Sequence, residues 1–105
     1  MWERFTKHAK QVVSTARDES RRLGSEYVRP EHLVLGICDA PEGIAARALE
    51  NLGMEIQVLA TEIRQRIRPG SAVFSDDDIP FSSRSKRVLE HAVMHARDFH
   101  HSYIG

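Results

Sequence analysis

Apolar residues recur every three or four positions along most of the chain, which is the spacing that places side chains on one face of an α-helix. Five runs with this spacing predict helices at residues 6–23, 31–39, 44–52, 55–68 and 82–100. Turn residues separate the runs, namely Gly24, Pro41 with Gly43, Gly53, and Pro69 with Gly70. No segment alternates with the period of two that indicates a strand. The sequence therefore predicts an all-α fold.

The boundaries of the first two helices carry specific signals. Thr6 is a suitable N-cap for helix one, and Phe5 before it can fold back onto the first turn. Gly24 is suited to the left-handed conformation that ends a helix. Pro30 suits the first position of helix two, because a proline there gives up no helical hydrogen bond. The second helix is almost entirely apolar, so we expect it at the centre of the core.

The chain also repeats itself. Residues 5–29 align without a gap to residues 81–105. The identical pairs are Phe5/Phe81, Lys10/Lys86, Val12/Val88, Ala16/Ala92, Arg21/Arg97 and Tyr27/Tyr103. The matched apolar positions keep helical spacing, so both copies are predicted to form the same amphipathic helix and exit turn. Duplicated units commonly stack, because each leaves an apolar face that its twin covers.

The second copy contains only this helix and connector. We therefore expect residues 1–68 to form a complete first repeat, residues 69–80 a linker and residues 81–105 a partial second repeat. The linker is expected to be held in place by its apolar residues, Val73, Phe74 and Ile79.

A partial second repeat predicts an uncovered face on helix five, formed by Val88, Leu89, Val93 and Phe99. Exposed apolar surface costs about 25 cal/mol per Å². A homodimer through helix five would cover the face, since a symmetric dimer is the simplest closed arrangement. The alternative is that helix five folds onto the first repeat alone.

Composition and charge narrow the functional classes. The chain has 105 residues, the size of one domain. Its 15 basic and 15 acidic residues cancel, so no overall field favours nucleic acid or an anionic membrane. The only cysteine, Cys38, excludes an intramolecular disulfide, and its apolar surroundings predict that it is buried. Without an apolar signal core or a membrane-spanning stretch, a cytoplasmic location is expected.

The candidates for metal or catalytic chemistry are few. His91 and His95 are four positions apart on helix five, the spacing of two zinc ligands on one helical face. Lys7, Lys10, Arg17 and Arg21 also follow one stripe of helix one. A small helical metal-binding or nucleic-acid-binding regulator is therefore the alternative function. No nucleophile is paired with a base at a recognisable spacing, and no phosphate-binding GxxxxGK[ST] loop is present. We expect neither an enzyme nor a bound cofactor.

Several segments resemble a known family: FTKHAKQVVSTARDESRRLGSEYVRPEHLVLGI, then EGIAARALENLGM, IPFSSRSKRVLEHAV and HSYIG. In this order they are similar to the N-terminal domain of Clp ATPases, closest to the ClpC type. The resemblance implies a pseudo-twofold, all-α domain of two four-helix repeats. It also implies a module of the Clp unfoldase and protease machinery that docks adaptor proteins and tagged substrates. Such a module could be part of an unfoldase, or a stand-alone protein that competes for the same ligands.

The resemblance implies two candidate binding surfaces. Glu31 matches the acidic residue that helps some ClpC-type domains bind phosphoarginine on tagged substrates. Here Pro30 replaces the usual threonine before it, and the second Glu-His pair of the family is absent. The alternative is that Glu31 only stabilises the positive end of helix two.

The second implied surface lies where helices one and five approach, and it receives peptide-like ligands in the family. The matching residues are Trp2, Phe5, Phe81, Lys86 and Arg87. Aromatic rings beside cations can anchor a peptide and select acidic neighbours. The alternative is that Phe5 and Phe81 are equivalent core residues.

Overall fold

The computed structural model describes residues 2–74, 79–98 and 103–105, with the side chains of the last helix described up to Met94. In these ranges the chain forms five α-helices and no strand. They are α1 (Lys7–Arg22), α2 (Pro30–Cys38), α3 (Ile44–Asn51), α4 (Ile56–Arg66) and α5 (Ser83–Asp98). The all-α prediction is confirmed. A single 3₁₀ turn at Trp2–Arg4 precedes α1 and was not predicted.

The two ends of α1 form as the sequence predicts. The Thr6 side chain accepts a hydrogen bond from the backbone N–H of Ala9 at 3.1 Å, which caps the first turn. At the other end Gly24 has a φ of 70°, a left-handed conformation that glycine adopts without steric cost. These two residues fix the length of α1 and the direction of the connector that follows.

The central helix is α2, as its apolar composition predicts. It packs most extensively against α1 and also contacts the other three helices. Gly36 lies at the crossing with α1, where a β-carbon would come within 2.3 Å of the Val12 carbonyl oxygen. Glycine is therefore required for the close approach of the two helices.

Two apolar clusters form the core on either side of α2. The first joins α1, α2 and α5 through Phe5, Ala9, Val13, Ala16, Val28, Leu33, Ile79 and Leu89. The second joins α2, α3 and α4 through Leu35, Cys38, Ala46, Ile56 and Ala60. An ion pair adds a link between α1 and α4, since Arg64 donates to the Glu19 carboxylate at 3.0 Å.

The two copies of the repeat contact each other through short backbone bridges at their ends. Phe5 forms an isolated parallel bridge with Ile104, and Val28 forms the equivalent bridge with Phe81. In the repeat alignment Phe5 corresponds to Phe81 and Val28 to Ile104, so the two bridges are the same contact made twice. Each consists of two backbone hydrogen bonds of 2.8–3.0 Å. The copies are therefore related by an approximate twofold axis.

The linker is held differently from the prediction. Ile79 is buried and Phe74 packs against the first cluster, but Val73 is 93% exposed. Phe74 therefore faces the core and Val73 faces solvent. Residues 75–78, which contain the acidic triplet, lie outside the described residues.

The predicted exposure of α5 is wrong for two of its four residues. Leu89 is only 5% exposed and Val93 packs against the first cluster. The hydroxyl of Ser85 also donates to the Val28 carbonyl at 2.6 Å. These contacts dock α5 on the first repeat, the alternative that the sequence left open. Val88 is 48% exposed, as expected.

Phe99, the fourth residue of the predicted uncovered face, lies outside the described residues. The homodimer through α5 stays a prediction.

Candidate functional site

Three aromatic rings meet where the two copies of the repeat join. The Trp2 ring lies 5.0 Å from that of Phe5 and 5.9 Å from that of Phe81, measured between ring centroids. The 3₁₀ turn positions Trp2, while the two phenylalanines are positioned by the backbone bridges. Tilted ring pairs at these distances are favourable beyond the area that they bury. Phe5 is buried, whereas Trp2 and Phe81 remain partly exposed.

A groove of about 210 Å³ adjoins this aromatic cluster. Trp2, Lys10, Val13, Ser14 and Arg17 line it. The Arg17 guanidinium lies over the Phe81 ring, 4.9 Å from its centroid, in the geometry of a cation–π contact. The groove therefore combines an aromatic wall with two cationic side chains, and we call it the α1 groove.

The residues predicted for this surface do not all come together. Trp2 and Phe81 are partly exposed and pack against the first cluster, whereas Phe5 is buried within it. The alternative, that Phe5 and Phe81 are equivalent core residues, therefore fits Phe5 but not fully Phe81. Lys86 and Arg87 are exposed on α5. Neither belongs to the residues that line the α1 groove in the described part of the chain.

Lys10 and Arg17 supply the positive charge of the α1 groove instead. From the sequence, Lys10 and Arg17 were predicted only as members of the basic stripe on helix one. The repeat alignment contains a signal for each of these two residues. Lys10 is the counterpart of Lys86, and Arg17 occupies the position that Val93 holds in the second copy. A cation aligned with a core valine indicates a position where the two copies have different roles.

Glu31 does not line the α1 groove. It is exposed in the first turn of α2, directly after Pro30, which occupies the first helical position as predicted. The positive end of the helix dipole favours a carboxylate there. Arg29, the N-cap residue, lies with its guanidinium 5.8 Å from the Tyr27 ring centroid. This end of α2 thus presents one carboxylate and one guanidinium to solvent.

His32 follows Glu31 but points into the protein. It is 1% exposed, and its Nδ1 accepts a hydrogen bond from the Arg29 backbone N–H at 2.9 Å. Since Nδ1 accepts, the ring proton is assigned to Nε2, which has no hydrogen-bond partner among the described residues. Burial lowers the pKa of His32, and the nearby Arg29 lowers it further, against the opposing effect of Glu31. His32 is therefore a neutral residue that closes the first turn of α2.

The residues with potential metal or nucleophilic chemistry do not form a centre in the described part of the chain. No three His, Cys, Asp or Glu side chains there lie close enough together to hold a metal ion. Cys38 is buried as predicted, and burial raises the pKa of its thiol, which keeps it protonated and unreactive. The His95 side chain lies outside the described part, so zinc binding by His91 and His95 stays a hypothesis.

The fold and the α1 groove define a small all-α domain, built around an approximate twofold axis, with an open aromatic and cationic surface. The chain matches the family described as the Clp repeat (R) N-terminal domain over residues 4–105. It therefore belongs to the Clp N-terminal domain family, which confirms the resemblance found in the sequence.

Two relatives illustrate the match. The chain is 41% identical over all its 105 residues to the ATP-dependent Clp protease ATP-binding subunit ClpA homolog of Guillardia theta. It is equally similar to the chloroplastic chaperone protein ClpC1 of Arabidopsis thaliana. The chain spans only 13% and 11% of the lengths of these two proteins.

Solved structures support the same fold. The N-domain of ClpV from Vibrio cholerae superposes with a TM-score of 0.84 at 14% identity, over 97% of this chain and 61% of that one. The N-terminal domain of the caseinolytic protease associated chaperone ClpD from Arabidopsis thaliana gives a TM-score of 0.74 at 28% identity. That match covers 99% of this chain and 72% of the other. At its lower identity, the ClpV likeness supports the fold alone.

None of the helices that the structure describes combines the length and apolar composition needed to cross a bilayer. Because ClpC1 of Arabidopsis thaliana is chloroplastic, a cytoplasmic location stays a prediction.

Proposed function

We propose that the chain is a non-catalytic docking module of a Clp-type unfoldase or protease system. Its α1 groove binds adaptor proteins, tagged substrates or peptide-like ligands. The observation that carries the proposal is the aromatic pair Trp2 and Phe81, partly exposed beside the guanidinium of Arg17. The module acts within an unfoldase or as a stand-alone competitor for the same ligands.

The dimensions of the α1 groove favour a peptide side chain over a small-molecule cofactor. Its volume of about 210 Å³ is below the roughly 300–1,000 Å³ of typical small-molecule sites. Burial of one large apolar side chain against the rings contributes about 1.5–3 kcal/mol. Lys10 and Arg17 favour acidic residues on either side of that anchor, and such charges select partners more than they add affinity.

A peptide titration followed by tryptophan fluorescence tests this function. Trp2 is the only tryptophan in the chain, so its fluorescence reports directly on the α1 groove. The probe is a short synthetic peptide with one phenylalanine flanked by glutamates. Its matched control carries lysines in place of the glutamates. We expect a saturable change of Trp2 fluorescence with the acidic peptide and about tenfold weaker binding of the basic one.

The protein variants form a second matched pair on one helix. Lys10→Glu reverses a charge in the α1 groove, while Lys7→Glu reverses the charge of an exposed residue that does not line it. Lys10→Glu should weaken the acidic peptide about tenfold and Lys7→Glu by less than about twofold. Equal effects of the two substitutions, or no response of Trp2 to either peptide, would remove the α1 groove as the docking site.

Glu31 is proposed as a second contact, for the guanidinium of a phosphoarginine tag. Two observations support this contact. Glu31 is an exposed carboxylate at a helix N-terminus, and the chain belongs to the Clp N-terminal domain family. Titration with a phosphoarginine peptide should show about tenfold weaker binding to Glu31→Gln than to wild type. The control is Glu55→Gln, which neutralises an exposed carboxylate at the start of α4. Equal affinity of Glu31→Gln and wild type would remove Glu31 from the site.

A further inference from the structure

His32 is a titratable side chain that the proposed docking function does not use. It is only 1% exposed, whereas its neighbours Arg29 and Glu31 are exposed. Its Nδ1 accepts a hydrogen bond of 2.9 Å from the Arg29 backbone N–H. Its Nε2 has no hydrogen-bond partner among the described residues. The first turn of α2 therefore joins a solvent-exposed surface to a buried imidazole ring.

The hydrogen bond between His32 and Arg29 exists in only one protonation state of the ring. In neutral imidazole one nitrogen carries the proton and the other accepts, whereas in imidazolium both nitrogens are donors. A proton on Nδ1 would face the Arg29 N–H, so that two donors would meet. Arg29 is the N-cap residue of α2, and His32 occupies the N3 position whose side chain serves the N-cap N–H in a capping box. Protonation therefore removes this cap.

We infer that His32 is an acid-operated latch on the first turn of α2. One proton, taken from solvent at Nδ1, breaks the hydrogen bond to Arg29, and the charged ring leaves its buried position. The turn that presents Arg29 and Glu31 then opens, while the rest of α2 stays packed. Loss of the proton restores the acceptor and closes the turn. The latch is independent of the docking proposals, since it operates whether or not Glu31 contacts a ligand.

The charges near the ring do not compensate an imidazolium in place. Those that act on His32, or pair with a group that does, are Arg29 and Glu31 from the start of α2, Glu19 and Arg22 from α1, and Arg64 from α4. Burial lowers the pKa of His32; Glu31 and Glu19 oppose this effect and Arg29 adds to it. The Glu19 carboxylate is already paired with two arginines. Among the described residues, no charge on α3 or α5 acts on the ring. A proton is therefore accommodated by movement of the ring toward solvent.

Amide hydrogen exchange followed by NMR tests the latch in the folded protein. We expect the protection of the Arg29 amide, corrected for the intrinsic effect of pH on exchange, to fall at least about tenfold between about pH 7.5 and about pH 5. The amides of Leu35 and Gly36, farther along α2, should keep their protection. The ring nitrogen shifts of His32 should show the proton on Nε2 at the higher pH and on both nitrogens at the lower one.

Three variants separate the latch from a purely structural role of the ring. In His32→Gln the side-chain oxygen can still accept from the N-cap N–H but does not titrate, so Arg29 should stay protected at both pH values. In His32→Ala no acceptor remains, and Arg29 should be unprotected at both. The matched control is His8→Gln, which removes an exposed histidine of α1 near the other end of α2 and should leave the wild-type response unchanged.

The wild-type measurement decides the inference even where a variant does not fold. Equal loss of protection at Arg29, Leu35 and Gly36 in acid would mean that the whole domain opens, and it would overturn a local latch. Unchanged protection of Arg29, or the same pH response in His32→Gln as in wild type, would overturn it too. None of these results bears on binding at the α1 groove, so the docking function is tested separately.

Discussion

Substitution of Gly36 by alanine sets two physical effects against each other at the crossing of α1 and α2. Within a helix, alanine is favoured over glycine by about 1 kcal/mol, so helix propensity alone predicts that Gly36→Ala stabilises the domain. The structure predicts the opposite, because the new β-carbon would lie 2.3 Å from the Val12 carbonyl oxygen. That oxygen belongs to the backbone and cannot move without the helix.

The magnitude follows from the distance. Ordinary contact of a β-carbon begins near 3.4 Å, so α1 and α2 must separate locally by about 1 Å. A gap of that size loses roughly a quarter to a half of the dispersion attraction between the two helices there. Overpacking of this kind costs about 1–3 kcal/mol. We take the upper end, because the clash is with backbone, and subtract the gain in helix propensity. The net expected loss is about 2 kcal/mol.

Urea unfolding followed by circular dichroism measures this loss, and thermal unfolding should show a midpoint lower by roughly 10 °C. The control is the reverse exchange at an open position. Ala48→Gly, exposed on α3, should destabilise by about 1 kcal/mol through propensity alone. A Gly36→Ala protein as stable as wild type, or more stable, would refute the close crossing. The position of α1 and its groove would then need another explanation.

Three further predictions concern buried polar groups. Burial lowers the pKa of His32 below its ordinary 6.5, so below about pH 6.5 the unfolded chain binds a proton that the folded chain does not. Urea stability should fall as the pH drops through that range, and less steeply in His32→Gln. Ser85→Ala removes a hydroxyl that donates to the Val28 carbonyl and should cost about 1 kcal/mol in urea unfolding, whereas the exposed Ser83→Ala should cost almost nothing. Cys38 should react with a thiol reagent only at urea concentrations that unfold the domain; rapid reaction in native buffer would contradict its burial.

The helices could be predicted from the sequence because their boundaries carry local signals. Helix one was predicted at residues 6–23 and forms at Lys7–Arg22, since Thr6 and Gly24 act within a turn of its ends. The 3₁₀ turn at Trp2–Arg4 was missed because three residues are too short to show a period. Its contact with Phe81 is tertiary, and no local pattern encodes it.

The exposure of α5 was mispredicted for a different reason. Periodicity identified which residues of α5 are apolar, but periodicity does not specify which neighbour covers them. The prediction of an uncovered face took later helices of the second repeat as the cover, and docking of helix five on the first repeat was its alternative. In the structure α2 of the first copy contacts α5, and Leu89 joins Leu33 in one cluster. Burial between two copies of a repeat depends on how they are arranged, and the alignment of the copies does not contain that information.

The differences between the two copies indicate how an approximately symmetric scaffold acquires one open surface. At equivalent positions, Val93 packs against the core and the Arg17 guanidinium lies over the Phe81 ring. An arginine placed under an apolar helix would have to give up hydration without full compensation, whereas Arg17 is only partly buried and its guanidinium packs on the Phe81 ring. The exchange of valine for arginine therefore gives the two equivalent positions different burial and charge, and leaves a cation beside the aromatic rings of the α1 groove.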